Sequence, residues 1–452
     1  MLIFVFAFMV SAETLEKVHT FGNGLQGWVA VHTDGTIHLV YNNSYQQGPS
    51  IEEMGSPKEI VPGLNDMYSP KITVDPNGVP HLVYQKGVGS GATTSWYTTL
   101  KDGEWIEPEK IADASELERE RAFLPDVAAD IEGNVLVSFW TLIFPKTGIN
   151  TANYLWRNAE GVWSERKSIP EVWWSSTPRV EELNGGFYYL YQPSANDWVV
   201  AGPIKAGEEF TGGISTKVNQ LELSVLNEGA DMAIAKDSTI AVTANLRRLY
   251  EGPGGVWASV KENNDFGQPT YLGDLEGSVR GDECNLHPNV AIDEATGAMV
   301  VTTQNPIDNR GYFYIYEKGV WSHAQRIYDE DALQIFARSG PTVADIPGPG
   351  VIICFRNDTK ICMRLLVPDG FTPLFRTTRR EPVTPHYLKC FISEKSKKLW
   401  SIPSLSFTGS YNFTISDLNG KLLGQYQSKT IQSFNSSLDN YYPGLYIISV
   451  IR

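Results

Sequence analysis

A hairpin pattern recurs seven times along this chain, about once every fifty residues, and it limits the possible folds more than any other feature. The clearest copy is Ser69 to Tyr84, where two alternating apolar and polar stretches flank an Asp-x-x-Gly turn. The turn residues are Gly35, Gly78, Gly133, Gly185, Ser238, Gly297 and Gly350, spaced 43, 55, 52, 53, 59 and 53 residues apart. The sequence therefore predicts seven copies of one antiparallel β-hairpin.

A second motif lies between successive hairpins. Gly103-Glu104-Trp105 is followed by Ile111, and the same Gly-x-Trp with a later Ile recurs from Gly161 to Ile169 and from Gly319 to Ile327. Each repeat thus holds an inner hairpin, a third strand and an outer strand beginning near the tryptophan. Seven such repeats predict an all-β, seven-bladed β-propeller, because a lone four-stranded sheet cannot bury both faces until neighbouring sheets close a ring. An open β-solenoid has shorter coils, and two β-sandwiches would not repeat one hairpin seven times.

Length and composition agree with this fold. The 452 residues suffice for one large domain and one small one, and 40 Gly, 26 Pro and 12 Trp suit many short strands joined by tight turns. A formal net charge of −15 argues against nucleic-acid binding, which needs a basic face. The Asp-x-x-Gly turns lack a calcium-binding run and no Cys/His ligand spacing occurs, so neither a metal nor a cofactor is expected.

The first twelve residues predict export. Leu2 to Val10 is an apolar run of the length of a signal-peptide core, and Val10-Ser11-Ala12 offers small residues for cleavage. A buried first strand is the alternative. This run is too short to span a bilayer and no later stretch reaches that length, so no transmembrane segment is expected.

The hairpin repeat stops near residue 378. The expected domains are a signal peptide over residues 1–12, the propeller over 13–378, and a linker with a small C-terminal β-sandwich over 379–452. The propeller ring is expected to close through Leu15 to Phe21, paired beside Ile361 to Leu365, with Phe371 to Thr377 as the competing segment.

Two other sets of residues have structural interpretations. Cys354 and Cys362 flank Asn357-Asp358-Thr359, and a three-residue loop would place them opposite each other, as a disulfide or as buried free thiols. His38 and His81 each follow a turn glycine by three residues. Because Leu136, Val300 and Ile353 fill that place elsewhere, these histidines are predicted to be packing residues.

In its repeats the chain resembles the sialidase-like, BNR-repeat group of secreted bacterial propellers, over about residues 15–375. Sialidases carry Ser-x-Asp-x-Gly-x-x-Trp boxes and an early Arg-Ile-Pro. Here Asp75-Pro76-Asn77-Gly78 and Asp130-Ile131-Glu132-Gly133 lack the Ser and Trp, and Arg-Ile-Pro is absent. The resemblance implies a ligand face formed by the loops before each inner strand and after each second strand, but it does not imply sialidase activity.

The C-terminal segment resembles the sorting domain of proteins exported by the type IX secretion system of Bacteroidota-like bacteria. The matching pieces are the Asp-Leu-Asn-Gly-Lys turn at Asp417 to Lys421 and the closing Pro-Gly-Leu-Tyr-Ile-Ile-Ser-Val from Pro443. This resemblance implies transit through the periplasm, the type IX machinery as a partner, and a secreted or outer-membrane surface location. An Ig-like accessory or carbohydrate-binding module is the alternative.

Arginines and aromatic residues are frequent in the loops of the implied ligand face. Guanidinium groups bind carboxylates and sulfates through paired hydrogen bonds, so several of them in an acidic protein predict an anion site. The alternative is that these loops are merely polar. The candidate ligand-binding residues are Arg121, Trp173, Trp174, Arg247, Arg248, Arg338 and Arg356.

Two reaction types could use such a site. A polysaccharide lyase acting on uronic acids would use Arg280 to neutralise the carboxylate, with His287 and Tyr250 as base and acid. A glycoside hydrolase would use Asp282 or Glu283 with a carboxylate from another blade. The expected function is a secreted or cell-surface monomer that binds, and could degrade, an acidic polysaccharide or glycan. Whether it is an enzyme stays open, and a non-catalytic adhesion or structural protein with a protein partner is the alternative.

Overall fold

The computed structural model describes most of the repeat region and four strands of the C-terminal segment. The described residues are 14–65, 67–86, 94–112, 120–143, 150–172, 178–194, 197–210, 216–217, 225–226, 229–248, 255–262, 265–267, 270–272, 288–305, 310–317, 319–322, 324–328, 340–368, 386–392, 411–416, 422–428 and 444–451. Chain contacts separate a compact unit over Glu13–Gly370 from a second unit formed by the remaining residues. Among the described residues there is no helix long and apolar enough to cross a membrane.

The first unit consists of seven antiparallel sheets, or blades. Two N-terminal strands, β1 (Thr14–Leu15) and β2 (His19–Asn23), precede the first. Blade 1 contains β3 (Gly27–Val31), β4 (Ile37–Tyr41), β5 (Ser44–Gly48) and β6 (Lys58–Glu59). Blade 2 contains β7 (Met67–Val74), β8 (Pro80–Lys86), β9 (Thr94–Lys101), β10 (Glu104–Trp105) and β11 (Glu109–Ala112). Blade 3 contains β12 (Glu120–Ala129), β13 (Val135–Ile143), β14 (Asn150–Arg157) and β15 (Lys167–Val172).

The remaining blades repeat this order. Blade 4 contains β16 (Arg179–Leu183), β17 (Gly186–Ser194), β18 (Asp197–Ile204) and β19 (Thr216–Lys217). Blade 5 contains β20 (Val225–Leu226), β21 (Ala230–Ile234), β22 (Ile240–Arg248), β23 (Gly255–Glu262), β24 (Asp265–Phe266) and β25 (Thr270–Tyr271). Blade 6 contains β26 (Asn289–Ile292), β27 (Met299–Asn305), β28 (Arg310–Glu317), β29 (Val320–Trp321) and β30 (Gln325–Arg326). Blade 7 contains β31 (Thr342–Asp345), β32 (Val351–Asn357) and β33 (Lys360–Val367).

The inner strands form a closed ring of seven. Each one contacts the inner strand of the next blade, and β31 contacts β3. All seven predicted turn residues have φ in the left-handed region, from +69° at Ser238 to +131° at Gly350, as tight hairpins require. The predicted seven-bladed β-propeller is therefore confirmed.

The seven hairpin turns lie side by side at one end of the ring, which we call the turn rim. His32 Nε2 lies 3.2 Å from the carbonyl oxygen of Pro76, and Asn77 Nδ2 donates to the carbonyl of Ile131 over 2.6 Å, so the turns of blades 1, 2 and 3 are joined. The backbone amide of Lys236 likewise donates to Glu294 of the next turn. The opposite end, where inner strands begin and second strands end, is called the loop rim.

Apolar side chains fill the spaces between neighbouring blades. Ala241 and Val256 of blade 5, for example, belong to one buried cluster with Val301 and Tyr314 of blade 6. Because each cluster draws on two sheets, no blade buries its own apolar surface alone.

The N-terminal strands close the ring, as predicted. Strands β1 and β2 both pair antiparallel with β33 of blade 7, with Thr14 opposite Val367 and Thr20 opposite Cys362. The competing segment, Phe371 to Thr377, lies outside the described residues. Leu15 and Val18 pack against the apolar cluster between blades 6 and 7, so closure also covers the core.

The turn expected between Cys354 and Cys362 was wrong by one residue. Asn357 pairs with Lys360, so the loop has two residues, and Cys354 faces Met363 while Cys362 faces Phe355. Side chains alternate along a strand, so the two thiols point to opposite faces of the sheet. Both are free and buried. The disulfide alternative therefore fails.

His38 and His81 are buried, as predicted, and each also takes part in a polar contact that the packing interpretation did not include. The Nδ1 atom of His38 lies 2.8 Å from the hydroxyl of Tyr45, and that of His81 lies 2.7 Å from the hydroxyl of Tyr97. Burial lowers the pKa of His38 to about 4, so it is neutral near pH 7.

Each of these tyrosines links its blade to the next. Tyr45 meets the ring of Trp105 edge-on at 5.1 Å, and Tyr97 meets Trp163 in the same way at 5.3 Å. The Gly-x-Trp motif thus supplies an inter-blade aromatic contact in two consecutive blades.

The described strands of the second unit form one antiparallel sheet. They are β34 (His386–Ile392), β35 (Tyr411–Ser416), β36 (Leu422–Ser428) and β37 (Gly444–Ile451), in the order β34-β37-β35-β36. Ser416 pairs with Leu422, which agrees with the hairpin predicted at Asn419-Gly420. A second layer of the expected sandwich and the boundary near residue 378 fall outside the described residues and stay predictions.

Removing residues 14–23 tests the closure. This deletion leaves β33 as an open edge and uncovers the cluster that Leu15 and Val18 contact, so the midpoint of thermal unfolding should fall by more than about 5 °C. Deleting residues 371–377, the competing segment, is the matched control and should change it by less than about 2 °C. The opposite ranking of the two deletions would contradict this closure.

Candidate ligand-binding rim

Most candidate site residues lie outside the described part of the chain. They are Trp173, Trp174, Tyr250, Arg280, Asp282, Glu283, His287 and Arg338. Their grouping into an anion site, a lyase site or a hydrolase site therefore stays a prediction. The described residues do define the backbone that leads into these loops.

Three arginines of the predicted set occupy strand ends at the loop rim. Arg121 pairs with Leu142 near the start of β12, and Arg247 and Arg248, the last residues of β22, pair with Leu226 and Val225. The backbone thus brings blades 3 and 5 to the same rim with an arginine on each. Arg310, the first residue of β28 in blade 6, lies on this rim as well, opposite Asn305.

Proline bulges extend two inner strands beyond the body of the propeller. The ladder gains one extra residue between Tyr68 and Lys71 in blade 2 and between Phe123 and Asp126 in blade 3. The residue before each proline is left-handed, with φ of +46° at Ser69 and +49° at Leu124. Bulges of this kind are common beside binding sites, where they redirect side chains.

These bulges correct the sequence interpretation. The clearest hairpin was expected to begin at Ser69 and Arg121 to lie in a loop, yet β7 and β12 begin at Met67 and Glu120, before Pro70 and Pro125. As a result Arg121 lies on a strand and not in a loop.

Arg356, another predicted ligand-binding residue, lies at the end of β32 on the loop rim. Its Nε donates to the carbonyl oxygen of Asp358 within the following turn. The side chain is buried, and burial lowers its pKa. Its described contact supports the turn, and a role toward ligand stays a prediction.

Buried amides lie at the position of Arg356 in three other blades. Gln85, Gln192 and Gln304 are each less than a tenth exposed. In each blade one inner-strand residue belongs to the polar layer described next, and it pairs with a residue of the second strand. Like Arg356, each glutamine lies two residues after that second-strand partner. These three glutamines were not among the predicted site residues, although polar residues that recur late in apolar second strands were a usable signal.

A layer of mostly polar side chains surrounds the axis below the loop rim. Each inner strand contributes one residue to this layer. That residue lies three ladder pairs before the last pair of the hairpin, or four pairs before it in blade 4. In blade order they are Trp28, Lys71, Asp126, Arg179, Asp231, Asn289 and Thr342. We call this layer the axial ring.

Opposite charges alternate over half of the axial ring. Lys71 Nζ lies 3.0 Å from Asp126 Oδ1, and Arg179 Nε lies 3.3 Å from Asp231 Oδ1. The second oxygens of the aspartates accept from backbone amides of the following blade: Asp126 from Val180 at 3.1 Å, and Asp231 from Val290 at 3.0 Å. Blades 2 to 6 are therefore joined by charged hydrogen bonds.

Neutral contacts complete the ring. Asn289 Nδ2 donates to the carbonyl of Pro341 at 2.9 Å, and Thr342 Oγ1 donates to the carbonyl of Gly27 at 3.4 Å. Lys71 Nζ also lies 4.3 Å from the centre of the Trp28 ring, a cation–π contact between blades 2 and 1. Every junction between neighbouring blades thus has an axial contact.

Burial affects the titration of the charged members. It lowers the pKa of Lys71 to about 8, with Arg179 adding to this effect and Asp126 opposing it. Burial also raises the pKa of Asp231, although Arg179 and Lys71 favour its charged form. The two pairs of opposite charge cancel, so the ring supplies little net field for a ligand.

Glu181 is an exception to the pattern beside the axial ring. It lies two residues after Arg179, where the other blades carry small residues: Ala30, Thr73, Ala128, Ala233, Ala291 and Ala344. Burial and the nearby carboxylates of Asp126 and Asp231 raise its pKa well above the usual range, which favours the protonated acid. The axis therefore gains little negative charge from this residue.

Comparison with known proteins gives the fold context. No family model and no curated relative matches the chain. Similar solved structures include a mutant of the NanB sialidase of Streptococcus pneumoniae, at 7% identity and TM-score 0.47 over 74% of this chain and 82% of that one. A leech intramolecular trans-sialidase matches at 8% identity and TM-score 0.47 over 72% and 78% of the two chains. The α-L-arabinanase of Penicillium chrysogenum matches at 10% identity and TM-score 0.43 over 67% and 93%. Likenesses this distant carry no argument about activity.

Replacing Asp126 by alanine tests the axial ring. The change leaves Lys71 buried without its carboxylate and Val180 without an acceptor, so the free energy of unfolding should fall by about 3–5 kcal/mol in denaturant titrations. Glu107→Ala removes an exposed carboxylate and should stay within about 0.5 kcal/mol of the wild type. A loss below about 1 kcal/mol for Asp126→Ala would mean that the ring contact is not formed.

Proposed function

We propose that this protein is a secreted or cell-surface propeller that binds an acidic polysaccharide or glycan at its loop rim. The observation that carries the proposal is the placement of Arg121, Arg247, Arg248 and Arg310 at strand ends of three blades on one rim. A chain with a formal net charge of −15 gains no general affinity for anions, so local clusters of guanidinium groups have to provide it.

The neutral axial ring strengthens this assignment to the rim. Because Lys71 and Arg179 are each matched by an aspartate, the cations below the rim are already paired. The arginines at strand ends, Arg121, Arg247, Arg248 and Arg310, add positive charge at this rim. Acidic sugars present carboxylates or sulfates, which suit the planar guanidinium donor.

The same rim would also hold the catalytic residues if the protein is an enzyme. A lyase would use Arg280, His287 and Tyr250, and a hydrolase would use Asp282 or Glu283. Both sets are expected at the loop rim from their place in the chain, and this expectation supports either scheme equally. Non-catalytic adhesion through a protein partner is the second candidate, favoured by the lack of a recognisable catalytic motif.

Binding to the rim arginines can be tested directly. The double variant Arg247→Ala/Arg248→Ala should weaken binding to a uronic-acid polymer by at least about tenfold, since each charged hydrogen bond contributes about 1.5–3 kcal/mol. Titration calorimetry at low and high salt gives the affinity. Lys205→Ala removes an exposed cation after β18 on the turn rim and should leave it unchanged.

The same polymer also separates the reaction types. Ultraviolet absorbance from an unsaturated uronate would identify a lyase, new reducing ends without that absorbance a hydrolase, and neither a binding protein. Equal affinity for neutral and acidic polymers, or no effect of the double variant, would contradict the proposed anion site.

We further propose export through the periplasm and the type IX machinery, supported by the apolar N-terminus and the closing sequence from Pro443. A truncated chain ending at residue 384 should keep a cooperative propeller unfolding transition, since the described propeller strands end at Val367. In a host with this secretion system it should remain in the periplasm, as measured by cell fractionation and blotting. Normal secretion of the truncated chain would contradict the sorting role.

A further inference from the structure

A pocket of about 480 Å³ opens on the loop rim between blades 1 and 2. Its sides are the turn after β4, the start of β6 and the crossing segment that leads into β7, and Leu25 lies at its edge. The volume lies in the range of small-ligand sites. It is separate from Arg121, Arg247, Arg248 and Arg310, which lie on blades 3, 5 and 6.

The walls of this pocket are fixed by their own hydrogen bonds. Asn43 Nδ2 donates to the carbonyls of Val61 and Leu64, at 2.6 and 3.0 Å, and its Oδ1 accepts from the Val61 amide at 2.9 Å. Glu59 Oε1 accepts from the amide of Gly63 at 2.9 Å. A site held in this way loses little entropy when a ligand binds.

The proline bulge of blade 2 brings an aromatic residue to the pocket. The Ser69 amide donates to Gln26 Oε1 over 2.7 Å, which fixes the left-handed Ser69, and Tyr68 lines the pocket directly before it. A non-glycine residue with positive φ costs energy and persists where the surrounding structure enforces it, often at binding sites.

The lining combines neutral polar groups with apolar surface. Lys58 and Glu59 oppose each other in charge, and Ser44, Asn65 and Tyr68 offer hydroxyl and amide groups without charge. Leu25, 45% exposed, provides apolar surface. Among the described lining residues the charges of Lys58 and Glu59 balance, and an aromatic ring with several hydrogen-bonding groups matches the alternation of hydroxyls and C–H faces on a neutral sugar.

We propose that this pocket is a second binding site, which holds one or two neutral sugar units. The proposal does not rest on the anion site, because none of its contacts requires an acidic ligand. On a mixed polymer the two sites would act together, with the pocket binding neutral units while the arginines bind acidic ones.

The test uses the full chain and three neutral trisaccharides: xylotriose, mannotriose and maltotriose. Ligand-observed NMR and titration calorimetry should detect binding of at least one. Tyr68→Ala should weaken it by at least tenfold, and Tyr68→Phe, which keeps the ring, should weaken it by less than threefold. Asn65→Ala removes an exposed amide with little risk to folding and should weaken binding by at least threefold.

The double variant Arg247→Ala/Arg248→Ala is the matched control and should leave trisaccharide binding unchanged. Tyr68→Ala should in turn leave binding of a charged uronic trisaccharide unchanged. The two variants therefore test the pocket and the anion site separately. Absence of binding by all three neutral trisaccharides would overturn the proposal. So would binding that neither Tyr68→Ala nor Asn65→Ala weakens, or that depends on the arginines.

Discussion

The contacts of the axial ring are the interaction on which the rest of this propeller depends. Each blade leaves apolar faces that only its neighbours can cover, and the ring fixes how far one blade is shifted against the next. Asp126 and Asp231 are central, because each binds a cation on one side and a backbone amide of the following blade on the other. Burying such charges costs solvation energy, so we interpret their role as fixing the arrangement of blades and not as adding large net stability.

That arrangement leaves the two ends of the propeller with different properties. At the turn rim, hydrogen bonds join the short hairpins of blades 1 to 3 and of blades 5 to 7. The loop rim carries the bulges at Ser69 and Leu124, the strand-end arginines and the polar pocket. Since the bonded turns are short, we propose the loop rim as the ligand face.

The fold was largely predictable from the sequence, because hairpin turns demand glycine-like residues at positions such as Gly78 and Gly133, and these repeat visibly. The axial ring could not be predicted from the sequence, since each blade makes its contact to the next blade with a different residue type, as Trp28, Lys71 and Asp126 illustrate. Of the two alternatives for Cys354 and Cys362, the disulfide failed, because a turn one residue shorter places the two side chains on opposite faces of the sheet. The site could be predicted only as a rim, because its residues come from loops of different blades with no common spacing.

Hydrogen exchange of the full chain, with and without a bound acidic oligosaccharide, tests the division between the two rims most directly. The account predicts slower exchange in peptides of the loop rim, such as residues 120–123 and 245–248, and unchanged exchange in the turns at residues 75–79 and 130–134. Slower exchange confined to the turn peptides would contradict it, because the ligand would then bind at the end of the propeller that this account assigns to structure.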